Sequence, residues 1–107
     1  MVELKYDKLV RDKIPDIIRS RGETAITHIA SDEEYKKRLI EKLQEEVDEF
    51  KKDNNEEELA DIMEVIYAIC DDLGIDRKHL ESTREDKAKK RGSFRNRIIL
   101  DGTDGTR

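Results

Sequence analysis

The stretch EKLQEEVDEFKKDNNEEELADIMEV, residues 41–65, decides the fold of this chain. It contains eleven acidic residues, yet apolar residues recur through it at the spacing of three and four that is typical of amphipathic helices. Asp53, Asn54 and Asn55 interrupt the pattern with residues that favour turns. The stretch therefore predicts two helices joined by a short turn, with some acidic side chains on faces that should be apolar.

The helical pattern extends in both directions from this turn. Ser31 and the acids that follow it are typical of a helix start, because a hydroxyl caps unpaired N–H groups and negative charge favours that end of the helix dipole. The first helix is predicted to run to about residue 52, and the second from residue 56 to a stop at Gly74. The predicted core stripe of the second helix consists of Leu59, Ile62, Met63, Ile66, Ile69, Cys70 and Leu73.

The flanking segments complete a mainly α prediction. Pro15 suits the first turn of a short helix over residues 15–20, and Asp76 precedes a more polar helix over residues 77–90. Two segments are rich in β-branched or apolar residues: TAITHIA (24–30) predicts a short strand or an extended segment, and SFRNRIIL (93–100) predicts a short strand. We expect a helical bundle built on an antiparallel helix hairpin, with minor β-strands near both termini, as one domain over residues 1–100 and a flexible tail over residues 101–107.

The composition constrains the partners and the compartment. Of 107 residues, 46% are charged and 35% hydrophobic, which is little apolar material for an isolated core, so we expect a homodimer or a higher homo-oligomer. The net charge of −5 argues against a stable nucleic-acid partner, although residues 87–97 are locally basic.

No apolar run is long enough for a membrane span. The N-terminal residues carry no signal-peptide pattern, and the lone Cys70 predicts no intrachain disulfide, so we expect a cytoplasmic protein.

Four carboxylates form a pattern across the predicted turn. On a helical wheel Glu46 falls inside the apolar stripe and Glu49 at its edge, while Glu58 and Asp61 lie among or beside the apolar residues of the next helix. In an antiparallel hairpin, Glu46 would lie level with Asp61 and Glu49 level with Glu58. The alternative is that all four are ordinary acidic residues at the edges of two amphipathic helices.

Convergence of these carboxylates would require compensation for their charge. Like charges in a half-buried groove repel and lose hydration, which protonation or a bound cation relieves. Oxygen ligands without histidine or cysteine favour Mg²⁺, or Mn²⁺. The pattern predicts a metal site formed by Glu46, Glu49, Glu58 and Asp61.

The arrangement Glu46-x-x-Glu49 followed by Glu58-x-x-Asp61 resembles the metal-binding signature of the all-α nucleoside triphosphate pyrophosphohydrolases. That superfamily contains the MazG-like proteins, the dimeric dUTPases and phosphoribosyl-ATP pyrophosphohydrolase. The segments YDKLVRDKIPDII (6–18) and KAKKRGSFRNRIIL (87–100) are similar to one MazG-like subgroup of predicted house-cleaning enzymes, so the resemblance covers residues 6–100. The chain departs from the superfamily in its short spacing between Glu49 and Glu58. It also departs in having acids, at residues 85–86, where many members have an asparagine.

The resemblance implies Mg²⁺-dependent hydrolysis of a nucleoside triphosphate, including non-canonical ones, to the monophosphate and pyrophosphate. The four carboxylates would then be both metal ligands and catalytic residues. Glu45 is a further candidate as general base, although the wheel points it outward with the solvated acids. Phosphate contacts are predicted for basic side chains near both ends of the chain, and stacking on the base for one aromatic ring: Lys8, Arg11, Lys13, Lys87, Lys90, Arg91 and Phe94.

These basic and aromatic residues also have ordinary structural interpretations. The cations at residues 87–91 suit a helix C-terminus, those at residues 8–13 suit a solvated surface, and Phe94 suits a strand core.

Two alternative functions are also compatible with the sequence. The same metal site would serve a phosphoribosyl-ATP pyrophosphohydrolase of histidine synthesis. A different class is a non-catalytic helical regulator that binds nucleotide or RNA through residues 87–97, which would need no Mg²⁺-dependent release of pyrophosphate.

Overall fold

Four α-helices account for the regular structure of residues 6–105, the part of the chain that the computed structural model describes. They are α1 (Ile14–Ser20), α2 (Asp32–Asp53), α3 (Glu56–Leu73) and α4 (Arg77–Arg91). The chain divides at Gly74 into two compact units, with α1, α2 and α3 in the first and α4 in the second. The mainly α prediction is confirmed, while the prediction of a single domain stays a prediction.

The ends of α2 and α3 follow from the side chains beside them. The Ser31 hydroxyl accepts a hydrogen bond from the backbone N–H of Glu34 at 3.2 Å at the start of α2. The helix ends at Asp53, and the following residue, Asn54, caps it in the left-handed conformation with φ of 48°, which asparagine tolerates better than most residues. The Asn55 side chain then accepts a hydrogen bond from the Glu58 N–H at 3.0 Å and starts α3. The link between these two helices is therefore only two residues long.

Helix α2 packs against α3 around a small core. Leu39 on α2 and Val65 and Cys70 on α3 are buried, with 2%, 7% and 4% of their surface exposed. An ion pair of 2.6 Å between Lys36 Nζ and Asp72 Oδ2 joins the first turns of α2 to the last turn of α3.

Part of the predicted core stripe is exposed. Leu59 is 49%, Met63 48% and Leu73 61% exposed, whereas Val65, which the stripe omits, is buried. A helix that packs on one neighbouring helix buries only a narrow arc, and the apolar surface of α3 is wider than that arc. The predicted stripe therefore includes the buried Cys70 but also three exposed residues, and it omits the buried Val65.

The predicted strands are wrong for the described part of the chain, because residues 6–105 contain no β-strand. Segment 24–30 has no regular secondary structure, and its Ile26 and Ile29 are 82% and 95% exposed. Segment 93–100 contains a turn closed by a hydrogen bond from Arg97 N–H to the Phe94 carbonyl at 3.2 Å. A strand requires a second strand for its backbone hydrogen bonds, and β propensity alone does not supply that partner.

The short elements agree with the predicted boundaries. Pro15 lies in the first turn of α1, where its missing N–H has no helical partner to lose. Asp76 caps α4 by accepting a hydrogen bond from the Lys78 N–H at 2.9 Å. Residues 101–105 are exposed and have no regular structure, whereas the last two residues of the predicted tail lie outside the described residues.

In the part of the chain that is described, no helix combines the length and the apolar character that crossing a bilayer requires.

Candidate metal centre

Three of the four predicted ligands converge at the contact between α2 and α3. Glu46, Glu58 and Asp61 each place one carboxylate oxygen within 4.8 Å of the others. Glu46 is only 9% exposed, and Glu58 and Asp61 are partly buried. Glu46 projects from the middle of α2, whereas Glu58 and Asp61 lie one turn apart near the start of α3.

The fourth predicted ligand belongs to an adjoining group. Glu49, Asp53 and Glu58 also place one carboxylate oxygen each within 4.8 Å of one another. Glu58 is common to both groups, so the two form one continuous cluster, which we call the acidic cluster: Glu46, Glu49, Asp53, Glu58 and Asp61. All five residues lie in the first unit.

The acidic cluster raises the pKa of Glu58 above the ordinary value of 4.5. The largest cause is the loss of hydration around its carboxyl group, followed by repulsion from Asp61, Asp53, Glu46 and Glu49. The protein therefore disfavours a further negative charge at this position, which is the electrostatic condition that a bound cation relieves.

Basic side chains partly compensate the cluster. Lys42 Nζ lies 3.2 Å from Glu46 Oε1, one turn away on α2. Arg11 Nη2 lies 2.7 Å from Asp61 Oδ1, although 50 residues separate the two in sequence. In each of these two ion pairs, a basic side chain contacts a predicted metal ligand.

Glu45 differs from the wheel-based expectation that it points into solvent. Its side chain is 31% exposed and accepts hydrogen bonds from Lys8 at 2.8 Å and from Lys42 at 3.3 Å. Partial burial opposes ionisation, but the hydrogen bond from Lys8 and the charges of Lys42 and Lys8 outweigh it and lower the pKa of Glu45. The same hydrogen bond raises the pKa of Lys8. Glu45 is thus a tightly paired carboxylate, a weaker base than an unpaired one.

The donor set fits a hard divalent cation. Every side chain of the acidic cluster offers carboxylate oxygen, and the described surroundings add no imidazole or thiolate. Mg²⁺ and Mn²⁺ prefer such oxygen ligands and retain water in their remaining positions, so a half-open cluster suits them better than a closed cage would.

The remaining predicted residues occupy other parts of the chain. Lys13 is exposed immediately before α1 in the first unit. Lys87, Lys90 and Arg91 are exposed near the end of α4, and Phe94, 97% exposed, lines a shallow concave surface together with Arg91. These four residues belong to the second unit, and their predicted contacts with phosphate and base stay predictions.

The structure also identifies participants that the pattern did not single out. The sequence pattern assigns Asp53 to the turn between the two helices, although Asp53 also lies one helical turn beyond Glu49. Lys42 lies one turn before Glu46, a spacing at which opposite charges meet on a helix. These two spacings are the signals by which the sequence alone points to both residues.

Comparison with known proteins leaves the family undetermined. No protein-family profile matches the chain, and no solved structure matches it significantly. An uncharacterized protein of Mycolicibacterium smegmatis is 48% identical over 44 residues, which is 41% of this chain and 45% of that protein. The match thus spans less than half of either protein.

Proposed function

We propose that this protein is a Mg²⁺-dependent nucleoside triphosphate pyrophosphohydrolase. The observation that carries the proposal is the convergence of Glu46, Glu58 and Asp61, with one oxygen of each within 4.8 Å of the others and Glu46 only 9% exposed. Burying a carboxylate is costly unless a partner compensates its charge, and Lys42 and Arg11 supply two positive charges against the five carboxylates of the acidic cluster. Exposed acidic side chains on a charged surface do not incur this cost, so the buried member distinguishes the cluster from ordinary solvated acids.

The proposed chemistry requires little of the protein beyond binding and orientation. A divalent cation at the cluster would neutralise phosphate oxygens and favour attack by water. In our proposal, Glu46, Glu49, Glu58 and Asp61 would hold the cation. The oxygen of a water molecule attacks the α-phosphorus and the bond from that phosphorus to the oxygen bridging to the β-phosphorus breaks, so that the nucleoside monophosphate and pyrophosphate leave and the proton of the water passes to solvent.

A triphosphate substrate is compatible with the acidic cluster only if bound cations and nearby basic side chains neutralise its phosphates. A polyphosphate would be repelled by five clustered carboxylates unless cations bridge the two. Arg11 lies beside the cluster, and the exposed Lys13 follows it closely in sequence. We assign both to phosphate oxygens, and assign Lys87, Lys90, Arg91 and Phe94 to phosphate and base contacts on the sequence-based grounds given above.

The proposed architecture is an antiparallel hairpin of α2 and α3. Its support is the two-residue link together with the ion pair between Lys36 and Asp72, which joins the start of α2 to the end of α3. An antiparallel arrangement also accounts for the approach of Glu46 to Asp61 on the other side of the link.

We further propose that the protein forms a homodimer or higher homo-oligomer. Leu59 and Met63, one turn apart on α3, are 49% and 48% exposed, and Ile40 on α2 is 61% exposed. Within residues 6–105 few apolar side chains are buried, and a second copy covering these exposed residues would enlarge the core.

The decisive assay measures pyrophosphate release from a panel of canonical and damaged nucleoside triphosphates together with phosphoribosyl-ATP. We expect cleavage of at least one compound with Mg²⁺ and none with excess EDTA. The profile across the panel separates a house-cleaning enzyme from one of histidine synthesis.

A pair of variants makes the assay specific to the acidic cluster. Glu58 belongs to both of the three-residue groups that make up the acidic cluster. Glu58→Gln removes its charge, and we expect this variant to lose activity. Glu64→Gln makes the same chemical change at an exposed position of α3 outside the cluster and should retain activity. Cleavage of nothing at high enzyme concentration would contradict the proposal and favour a non-catalytic regulator. Full activity of Glu58→Gln would instead contradict the assignment of the acidic cluster as the catalytic site.

A further inference from the structure

A basic segment, residues 7–11, lies against α2 and α3 and is attached at three points. The Arg38 guanidinium donates to the Asp7 carboxylate at 2.9 Å and to the Asp7 carbonyl at 3.0 Å. Lys8 donates to Glu45 at 2.8 Å, and Arg11 donates to Asp61 at 2.7 Å. Of the three carboxylates in these contacts, Asp61 alone is a predicted metal ligand.

A divalent cation bound at the acidic cluster would therefore compete with the Arg11 guanidinium for the Asp61 carboxylate. A divalent cation beside Asp61 would repel the Arg11 guanidinium across a few ångströms. The side chains of Arg11 and Asp61 are 55% and 36% exposed, and an ion pair this accessible to water is weak. A cation held by several carboxylates at once is the stronger competitor.

We propose that Arg11 exchanges partners, pairing with Asp61 in the metal-free protein and with a phosphate oxygen of the nucleotide once a divalent cation is bound. This inference rests on the proposed function. The contacts of Asp7 and Lys8 involve no predicted metal ligand and persist through the exchange, so only the Arg11 side chain moves. A guanidinium suits both partners, because its parallel N–H groups match carboxylate and phosphate oxygens alike.

The exchange of partners by Arg11 couples the binding of the cation to the binding of the nucleotide. Without nucleotide, Arg11 opposes the cation, because it has to leave Asp61 when the cation binds. With cation bound, the released Arg11 favours the nucleotide. Since binding free energies are linked, the nucleotide strengthens cation binding by the same factor.

The first test measures Mn²⁺ binding to the full-length protein through the electron paramagnetic resonance signal of unbound Mn²⁺. Without nucleotide, Arg11→Gln should bind Mn²⁺ up to about fivefold more tightly than the wild type, the range expected for loss of an exposed ion pair. Lys36→Gln removes the same charge and breaks the ion pair with Asp72. Lys52→Gln removes an exposed charge next to Asp53. Both controls should change the affinity less than Arg11→Gln does.

The second test measures nucleotide binding, for which the Arg11→Gln substitution should lower the affinity instead of raising it. At saturating Mn²⁺, Arg11→Gln should bind α,β-methylene ATP more weakly than the wild type and both controls, because the phosphate loses its donor. A merely structural role for Arg11 would weaken both ligands. Equal Mn²⁺ affinity of Arg11→Gln and the wild type would overturn the exchange and leave the proposed function intact. Absence of Mn²⁺ binding at millimolar concentration in every variant would overturn both.

A third measurement does not depend on how the glutamine variant folds. The Nε–H resonance of Arg11 in the ¹H–¹⁵N spectrum of the wild type is assigned by its loss in Arg11→Lys. It should shift as Mg²⁺ is added, with a midpoint equal to that of Mg²⁺ binding. A resonance that stays unmoved at saturating Mg²⁺ would show that Arg11 keeps its partner and would overturn the exchange.

Discussion

Glu46 on α2 and Asp61 on α3 each place a carboxylate oxygen within 4.8 Å of the other. Each is also in contact with a basic side chain, Lys42 at 3.2 Å and Arg11 at 2.7 Å respectively. The contact between the two helices thus combines apolar burial at Leu39 and Val65 with concentrated negative charge. That combination favours a cation-binding role over a purely structural one.

Glu58→Gln should stabilise the metal-free protein more at neutral than at acidic pH. The pKa of Glu58 is raised above 4.5 by partial burial and by neighbouring carboxylates. The folded state therefore binds the Glu58 proton more tightly than the unfolded state. This contribution to stability is fully present below about pH 4.5 and is lost as the pH rises through the raised pKa. Urea unfolding in EDTA at about pH 4 and about pH 7 measures it.

The control for this prediction is Glu57→Gln, at the exposed residue before Glu58. Glu57 is not part of the acidic cluster, so this variant should show a smaller change between the two pH values. An equal change for both variants would show that general acidity, and not the acidic cluster, destabilises the protein.

Mg²⁺ should stabilise the wild type against heat. A ligand that binds only the folded state at ten times its Kd adds about 1.4 kcal/mol, or about 6 °C in Tm for a chain of this size. Glu46→Gln should lose this response, whereas Glu64→Gln should keep it, because Glu64 is exposed outside the cluster. Differential scanning calorimetry with and without Mg²⁺ makes the comparison, and an equal response of both variants would contradict the assignment of Glu46.

Leu39→Ala should be strongly destabilising. Leu39 is 2% exposed at the contact between α2 and α3, and truncating a buried leucine costs about 2–5 kcal/mol. Leu73→Ala makes the same change at a side chain that is 61% exposed and should cost much less. Urea unfolding midpoints of the two variants give the difference, and comparable losses would mean that Leu73 is covered in solution, for instance by a second copy.

Met63→Glu should dissociate the proposed oligomer. Met63 is 48% exposed, and a charge placed in an apolar interface remains unpaired and desolvated. Sedimentation equilibrium should show the wild type as a dimer or larger assembly and Met63→Glu as a smaller one. A wild type that stays monomeric at high concentration would refute the oligomer without affecting the metal site.

The helices were predictable from the sequence because their signals are local. Ser31, Asn55 and Asp76 cap the helices that they were expected to start or precede, and Gly74 ends α3 with a positive φ of 71°. The spacing of Glu46 and Asp61 about the turn likewise follows from helical periodicity and the short link. Such features depend on residues within a few turns of one another.

The sequence pattern does not predict the features that depend on residues far apart in the chain. The contacts of Lys8 with Glu45 and of Arg11 with Asp61 join positions 37 and 50 residues apart, and no periodicity marks them. The strand prediction at residues 24–30 failed for a related reason, since pairing requires a partner elsewhere in the chain. Exposure of Leu59 likewise depends on what else packs on α3, which the pattern of α3 alone does not specify.

The central claim is that the acidic cluster binds a divalent cation, and Mn²⁺ anomalous diffraction tests it most directly. Crystals soaked in millimolar Mn²⁺ should show an anomalous peak within about 2.0–2.3 Å of carboxylate oxygens of Glu46, Glu58 and Asp61. The Glu58→Gln protein under the same conditions should show a weaker peak or none. The account would be contradicted by a wild-type crystal that holds no Mn²⁺ at this cluster and shows these side chains turned into bulk solvent.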